Sequence, residues 1–404
     1  MFISELITVK KAEKIIAENQ KIMPTEIIKL ENAYQRVNHR KFISQHSSPP
    51  FDRSAMDGYA LKSRETFGCS PSMPGHLKVI DQIGAGESSN VKVGPGQAVK
   101  IATGAPIPAG ADAVIMEEYT YEKNSKLDIM ATLSPGENVS YEGEDIKKGD
   151  KVIDENMVLR PQDLAMIASA GYGNVEVYQK PKVGVIVTGN ELVNPTFHLE
   201  GAQIINSNQY TLRALVKSSM AQFEVMHCRD NAKAMEKILL EAVEKYDVII
   251  TTGGTAISKG DLVVDSVDKL GDVLIHGVAV RPGKPFGFGI INDKPVFMLS
   301  GYPVAAMVLF DIFVRQYLLK MQNIFYEHKI AKRVSKKKVP SILGRTDYIR
   351  AFADDKIIIP VLNKGSGVIR AMVASNAYLV IEENREGVDE GEECEMILFN
   401  SFKV

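Results

Sequence analysis

The chain has 404 residues, 45% of them hydrophobic, and a formal net charge of −2. That length supports roughly two to four domains with real cores, and the near-neutral balance speaks against a general nucleic-acid or membrane-surface role. Three widely spaced cysteines (Cys69, Cys228, Cys394) form neither a disulfide framework nor a zinc-ligand spacing.

An amphipathic stretch at 8–20 stands where a secretory signal would need a hydrophobic core, and no apolar run reaches bilayer-spanning length. The expectation is a cytoplasmic protein whose first element is a short helix. Periodicity over 26–40 predicts a second helix. Segment 47–60 then breaks helical structure with Pro49-Pro50 and continues through Phe51-Asp52-Arg53-Ser54-Ala55-Met56-Asp57-Gly58-Tyr59-Ala60 into short strand-like runs. Strands are predicted at 77–80, 97–101 and 113–116, separated by glycine and proline turns. Between them the loop Ala102-Thr103-Gly104-Ala105-Pro106 leaves the Thr103 hydroxyl available as a ligand, and Glu142-Gly143-Glu144-Asp145 makes an acidic turn.

A helix is predicted over 160–170, with Pro161 near its start and Gly171 at its end. A strand at 183–187 opens an alternating series: helix from 206–208 to about 217, strand 223–228, helix 231–246, strand 247–251. Alternation of this kind implies a parallel sheet, whose ligands sit beyond the C-terminal ends of the strands. Glu191, Asp230, the loop Thr252-Gly253-Gly254-Thr255 and Ser300-Gly301-Tyr302-Pro303 all fall at such ends, which predicts that they share one site. Paired glycines before a helix near 261 leave unpaired N–H groups facing an anion. Arg281-Pro282-Gly283-Lys284-Pro285 adds two cations on a stiff turn, and a long apolar helix follows Pro303. The basic run with Lys332-Arg333 and Lys336-Lys337-Lys338 reads as a linker into a last β domain with strands at 348–352, 357–362, 378–381 and 395–399. The fold expected is multidomain α/β plus β: a helical linking part (1–48 and 146–180), an inserted β module (49–145), a parallel-sheet α/β domain (181–325) and a C-terminal β domain (326–404).

These segments resemble the MoeA family, the molybdopterin molybdenumtransferases that include the E domain of gephyrin. The likeness runs through 49–60, Thr103-Gly104-Ala105-Pro106, Gly110-Ala111-Asp112-Ala113-Val114, Gly143-Glu144-Asp145, Thr188-Gly189-Asn190-Glu191-Leu192, Asn206-Ser207-Asn208, Gly253-Gly254 and Pro282-Gly283-Lys284-Pro285. The first of these is long and unlike any common phosphate loop. The resemblance implies a molybdopterin-binding α/β domain and an enzyme that takes adenylylated molybdopterin, releases AMP and inserts molybdate, or tungstate, with Mg²⁺ present. It also implies a homodimer with a shared site.

By the same resemblance, Asp57, Asp145, Asp230 and Asp261 are catalytic, and Asp57, Asp145, Glu191 and Asp261 hold the metal. Thr103, Gly253, Gly254, Thr255, Arg281, Lys284, Ser300 and Pro303 hold the substrate. Local alternatives stand beside these roles: Asp57 as a turn residue, Asp145 as a solvated turn, Asp261 as a helix cap, Asp230 paired with Arg229, Thr103 as a turn stabiliser. Ala256 stands where the family usually has serine and Ser258 where it has glycine, which implies weaker phosphate binding, and Ser300 stands where proline is common. Two other functions fit parts of the pattern: a molybdopterin adenylyltransferase, which the β module argues against, and a non-enzymatic scaffold, which the acidic set argues against.

Overall fold

The structure, a computed structural model, describes residues 6–196, 198–253, 261–325, 327–361, 365 and 367–402. The first helix, α1 (Val9–Glu18), starts where the Thr8 hydroxyl accepts the Lys11 N–H at 3.2 Å. Its apolar stripe, Val9, Ala12 and Ile16, is buried in the core of the α/β domain. The second helix expected at 26–40 is absent. Thr25–Lys29 is a strand paired antiparallel with Asn174–Tyr178, and Gln35 at φ 56° interrupts any helix through the segment. The partner strand lies far along the chain, so its hydrogen bonds leave no trace in local periodicity. Arg36, buried, fastens the pair by bonding the Glu26 carboxylate and the Tyr178 carbonyl.

In the β module the expected strands appear as Gly58–Leu61, Gln97–Ile101 and Ala113–Met116, with Gly75–Ile83 covering the expected 77–80. Thr120–Lys123 and Lys126–Ile129 complete a six-stranded sheet. Both faces are covered: Tyr59 and Leu61 enter one apolar cluster and Ala60, between them, enters the other, as a period of two requires. After the module, α2 (Pro161–Ser169) starts at a proline, and the Asp163 carboxylate accepts the Arg160 N–H at 2.8 Å.

The α/β domain is built on Lys182–Thr188, Gln222–Cys228 and Val248–Thr252, alternating with α3 (Asn208–Ser218), α4 (Ala232–Lys245) and α5 (Leu262–Leu270). These strands and Lys294–Leu299 run parallel, but the sheet as a whole is mixed. Gly287–Ile291 and Asp272–His276 add to it antiparallel. No helix lies between these last strands. Gly287–Ile291 and Lys294–Leu299 are joined through Asn292 and Asp293 at φ 45° and 63°, the two positive values that a tight hairpin demands. The long apolar helix after Pro303 is one continuous run: α6 (Pro303–Leu309), a π-helical turn (Phe310–Val314) and α7 (Arg315–Met321). It is buried nearly all round, with Phe313 stacked on Phe286 at 4.4 Å between centroids. No helix among the described residues is long and apolar enough to cross a membrane.

The basic run expected as a linker is a strand, His328–Ser335, paired antiparallel with Glu393–Phe402. Lys329 and Lys332 are exposed, with Lys332 3.7 Å from Glu393, while Arg333, on the opposite face from Lys332, is half-buried and donates from Nε to the Asp354 carbonyl at 2.7 Å. With Thr346–Ala353, Ile357–Pro360 and Ala377–Ile381 these strands form a ring, closed by the pairing of Thr346–Ala353 with Ala377–Ile381. The short strand Val280–Arg281 leaves the α/β domain and pairs parallel with Thr346–Asp347. That joint sets the C-terminal domain against the turn 281–285.

Candidate functional site

Four neighbouring parallel strands end on the same side, and their ends are knitted together. Thr188 donates its hydroxyl to Asp230 Oδ1 at 2.5 Å, and the Asn190 N–H reaches Asp230 Oδ2 at 3.0 Å. Asp230 therefore bridges the ends of Lys182–Thr188 and Gln222–Cys228. Asn208, at the start of α3, donates from Nδ2 to Thr252 Oγ1 and to the Gly301 carbonyl, both at 2.8 Å. Gly253, at φ 93°, passes so close to Thr188 that a Cβ would sit 2.5 Å from its carbonyl oxygen. Ser300 is buried, its hydroxyl accepting the Tyr302 N–H at 3.3 Å. Pro303 starts α6. Asp261 is buried and caps α5, accepting the Val263 and Val264 N–H groups at 3.2 and 3.1 Å. Gly254, Thr255, Ala256 and Ser258 lie outside the described residues.

Beside these ends, a cavity of about 990 Å³ opens between the α/β domain and the C-terminal domain. Residues 279–285 with Ser300, Tyr302 and Ala305 form one wall, and residues 343–345 and 348–350 form much of the other. Four cations line it: Arg281, Lys284, Arg345 and Arg350. Behind the wall the fully buried Asp347 pairs with Arg281, accepts the Ser341 hydroxyl at 2.8 Å, and lies 3.1 Å from Arg345 Nε. One carboxylate against four cations leaves an excess of three positive charges.

The cations feel one another. Burial first, and Arg345 as well, hold the Arg281 guanidinium below its usual value against the opposing pull of Asp347. Burial and then Arg281 do the same to Arg350. Arg345 Nε is misdirected for a hydrogen bond to Asp347, so Nε and Nη2 are buried donors without an acceptor. Buried donors left unmet cost about 1–3 kcal/mol each, a cost that an oxyanion in the cavity would remove.

The turn carrying Lys284 is shaped by Gly283, at φ 117°, where a Cβ would lie 2.7 Å from Leu309 Cγ. Gly283→Ala is expected to cost about 2–4 kcal/mol through backbone strain and overpacking against α6. A denaturant midpoint unchanged by this substitution would contradict that account.

The β module gathers a separate set. Segment 52–57 is hydrogen-bonded on one side to loop 102–107, through Ser54 to Ala105, Gly104 to Ser54 and Ile107 to Asp52. On the other side Asp52 Oδ1 accepts the Glu142 N–H at 2.8 Å, next to the acidic turn. Asp57 Oδ1 accepts the Thr103 N–H at 2.8 Å, and Asp57, Thr103 and Asp145 are exposed. None of the three lines the cavity. Glu191 is exposed after the Thr188 strand end. Among the described residues of one chain, no three acidic, histidine or cysteine side chains converge as a metal site.

Arg345, Arg350 and Asp347 were not found from the sequence. The available signal was three charges in one short run, Arg345-Thr346-Asp347-Tyr348-Ile349-Arg350, within an otherwise apolar strand.

Comparison with known proteins matches the chain along its length. The profile described as "MoeA N-terminal region (domain I and II)" covers residues 7–171, "Probable molybdopterin binding domain" covers 184–320, and "MoeA C-terminal region (domain IV)" covers 332–399. A Methanocaldococcus jannaschii protein named for molybdopterin biosynthesis is 38% identical, over 98% of this chain and 99% of its own. The molybdopterin molybdenumtransferase of Bacillus subtilis is 34% identical, over 97% of this chain and 94% of its own. The crystal structure of the Pyrococcus horikoshii molybdopterin biosynthesis moeA protein is 33% identical, superposing with a TM-score of 0.80 over 98% of this chain and all of that one.

Proposed function

The chain belongs to the MoeA family as a molybdopterin molybdenumtransferase of molybdenum cofactor biosynthesis, and we propose that it inserts molybdate or tungstate into adenylylated molybdopterin with release of AMP. The observation that carries this reading is the four-cation cavity with unmet guanidinium donors on Arg345. Insertion requires an oxyanion to approach a pyrophosphate, and unit like charges about 4 Å apart repel by roughly 4 kcal/mol at an effective dielectric near 20. Arg281, Lys284, Arg345 and Arg350 offset that repulsion from both walls. The two dithiolene thiols replace one oxygen of the metal oxyanion, which leaves as water with their protons, and a second water adds to a pyrophosphate phosphorus as the bridging P–O bond breaks, releasing AMP and leaving the pterin with its own phosphate.

Gly253, Gly254, Thr255, Ser300 and Pro303 are proposed to hold the pterin substrate at the strand ends. Asp230 and Asp261 are proposed to act there beside Glu191. Asp57, Thr103 and Asp145 lie on a surface apart from the cavity, so their proposed role is to complete the site of the partner in a cytoplasmic homodimer. Within one chain Asp261 caps its helix and the exposed Asp57, Asp145 and Glu191 stand apart from it, so a Mg²⁺ held by these four carboxylates is proposed to draw on both chains of the dimer. There it would serve as a counter-ion of the substrate's pyrophosphate.

The test is AMP release from adenylylated molybdopterin, with Mg²⁺, in the presence and absence of molybdate or tungstate. Release that depends on the oxyanion is the expected result. Release indifferent to it, or none, would overturn the proposal, and consumption of ATP without oxyanion would indicate an adenylyltransferase.

A further inference from the structure

We infer that Tyr378 is a positioning residue: from the C-terminal domain it reaches the buried carboxylate of Asp311 in the α/β domain and so fixes where Arg350 stands in the cavity wall. The inference rests on the reading that this cavity holds an oxyanion.

The carboxylate is itself held rigidly. Asp311 lies in the π-helical turn between α6 and α7, and its Oδ1 accepts Arg315 Nε at 3.0 Å and Nη2 at 2.7 Å. Arg315, 1% exposed, is anchored in turn to the Ser218 hydroxyl at 3.0 Å, at the end of α3. The second oxygen, Oδ2, is thereby turned toward the C-terminal domain, where the Tyr378 hydroxyl donates to it at 3.0 Å. Tyr378 is buried, and burial together with Asp311 pushes its hydroxyl well above the usual range, so it remains a donor.

Two features connect this bond to the cavity. On the α/β side, Asp311 lies on the same continuous helical run that begins at Pro303, directly after the Ser300 and Tyr302 wall; the eight residues between them make about two helical turns. On the other side, Tyr378 pairs in register with Arg350 in adjacent antiparallel strands. Residues directly opposite in such a pair carry their side chains on the same face, with Cβ atoms about 5 Å apart. The tyrosine therefore stands beside the guanidinium, and Tyr348 packs edge-on against its ring at 6.2 Å.

The joint has reason to need such a tie. Asp347 ties Arg281 across the joint and its pull outweighs the repulsion of Arg345, but one carboxylate is set against four cations, and Arg281 still repels Arg350, which acts to part Arg350 from the opposite wall. Among the described residues, the strand pairing between the domains at this point spans only Val280 with Thr346 and Arg281 with Asp347. A hydrogen bond to a buried charge opposes that parting and keeps Arg350 in place for the incoming oxyanion.

The experiment measures molybdate binding to the full chain by calorimetry, together with amide hydrogen exchange over 346–353, for the parent and Tyr378→Phe. Phenylalanine keeps the ring packing and removes only the donor. The expected result is about tenfold weaker molybdate binding, faster exchange at 346–350, and unchanged affinity for adenylylated molybdopterin. A variant that binds molybdate as the parent does, or exchanges as the parent does, overturns the inference. A purely structural role would weaken both ligands alike and overturns it as well. If the parent binds neither molybdate nor tungstate, the oxyanion reading fails, while unaltered exchange at 346–350 separately refutes the tie. Should Tyr378→Phe fold poorly, Tyr378→Met gives the second comparison: it keeps much of the apolar volume and lacks the donor, and parent-like affinity and exchange in it would also overturn the inference.

Discussion

Lys284→Ala is expected to weaken molybdate binding by about 10–100-fold, the loss of one hydrogen bond between charged partners. Among the four cavity cations Lys284 offers the cleanest test. It is exposed, so its removal leaves no hole in a core. Arg281→Ala, by contrast, would strip the fully buried Asp347 of a partner and destabilise the joint for reasons unrelated to substrate. Retention of charge should matter more than shape, so Lys284→Arg should recover part of the affinity. Salt should weaken what remains, because an open, cation-lined cavity is screened. Calorimetric titration of molybdate into each chain reads the effect directly. An unchanged dissociation constant in Lys284→Ala would remove the cavity from the proposed reaction.

Asp57→Ala should reduce AMP release by about 100-fold or more while leaving molybdate binding intact, because Asp57 lies on the β module and the cavity is built by other elements. The informative experiment mixes chains. In a symmetric dimer whose two sites each combine Asp57 from one protomer with Lys284 from the other, randomly exchanged Asp57→Ala and Lys284→Ala chains regain about a quarter of the parent's turnover. Half of the dimers are then mixed, and each mixed dimer keeps one intact site. If every site is complete within one chain, mixing restores nothing beyond the weak activities of the separate variants. Recovery therefore tests the shared site independently of the oxyanion cavity.

The sequence and the structure agree most closely where neighbours in the chain are neighbours in space. Thr8 caps α1 from three residues before Lys11, Pro161 opens α2, and the apolar run at 248–252 is a buried central strand. Disagreement came where pairing is distant. Segment 25–29 has an apolar spacing compatible with a helix, yet hydrogen bonds from 174–178 make it a strand. The lysine-rich segment 328–335 reads as a solvated linker until Glu393–Phe402 is laid beside it. Antiparallel strands at 272–276 and 287–291 turn the expected parallel sheet into a mixed one.

The same division holds for the candidate site. Arg281 and Lys284 were legible because a proline and a glycine between them announce a stiff basic turn. Arg345, Arg350 and the buried Asp347 were not, because isolated charges in a strand give no sign of what they face. By itself the sequence determined the family, the alternation of strands and helices through the α/β domain, and the glycine and basic turns at its strand ends, since these depend on local backbone preference and short-range periodicity. Only the tertiary structure decided that Arg281 meets Asp347, that four cations share one cavity, and that Tyr378 reaches Asp311 across 67 positions of chain, because such contacts depend on how separate domains dock.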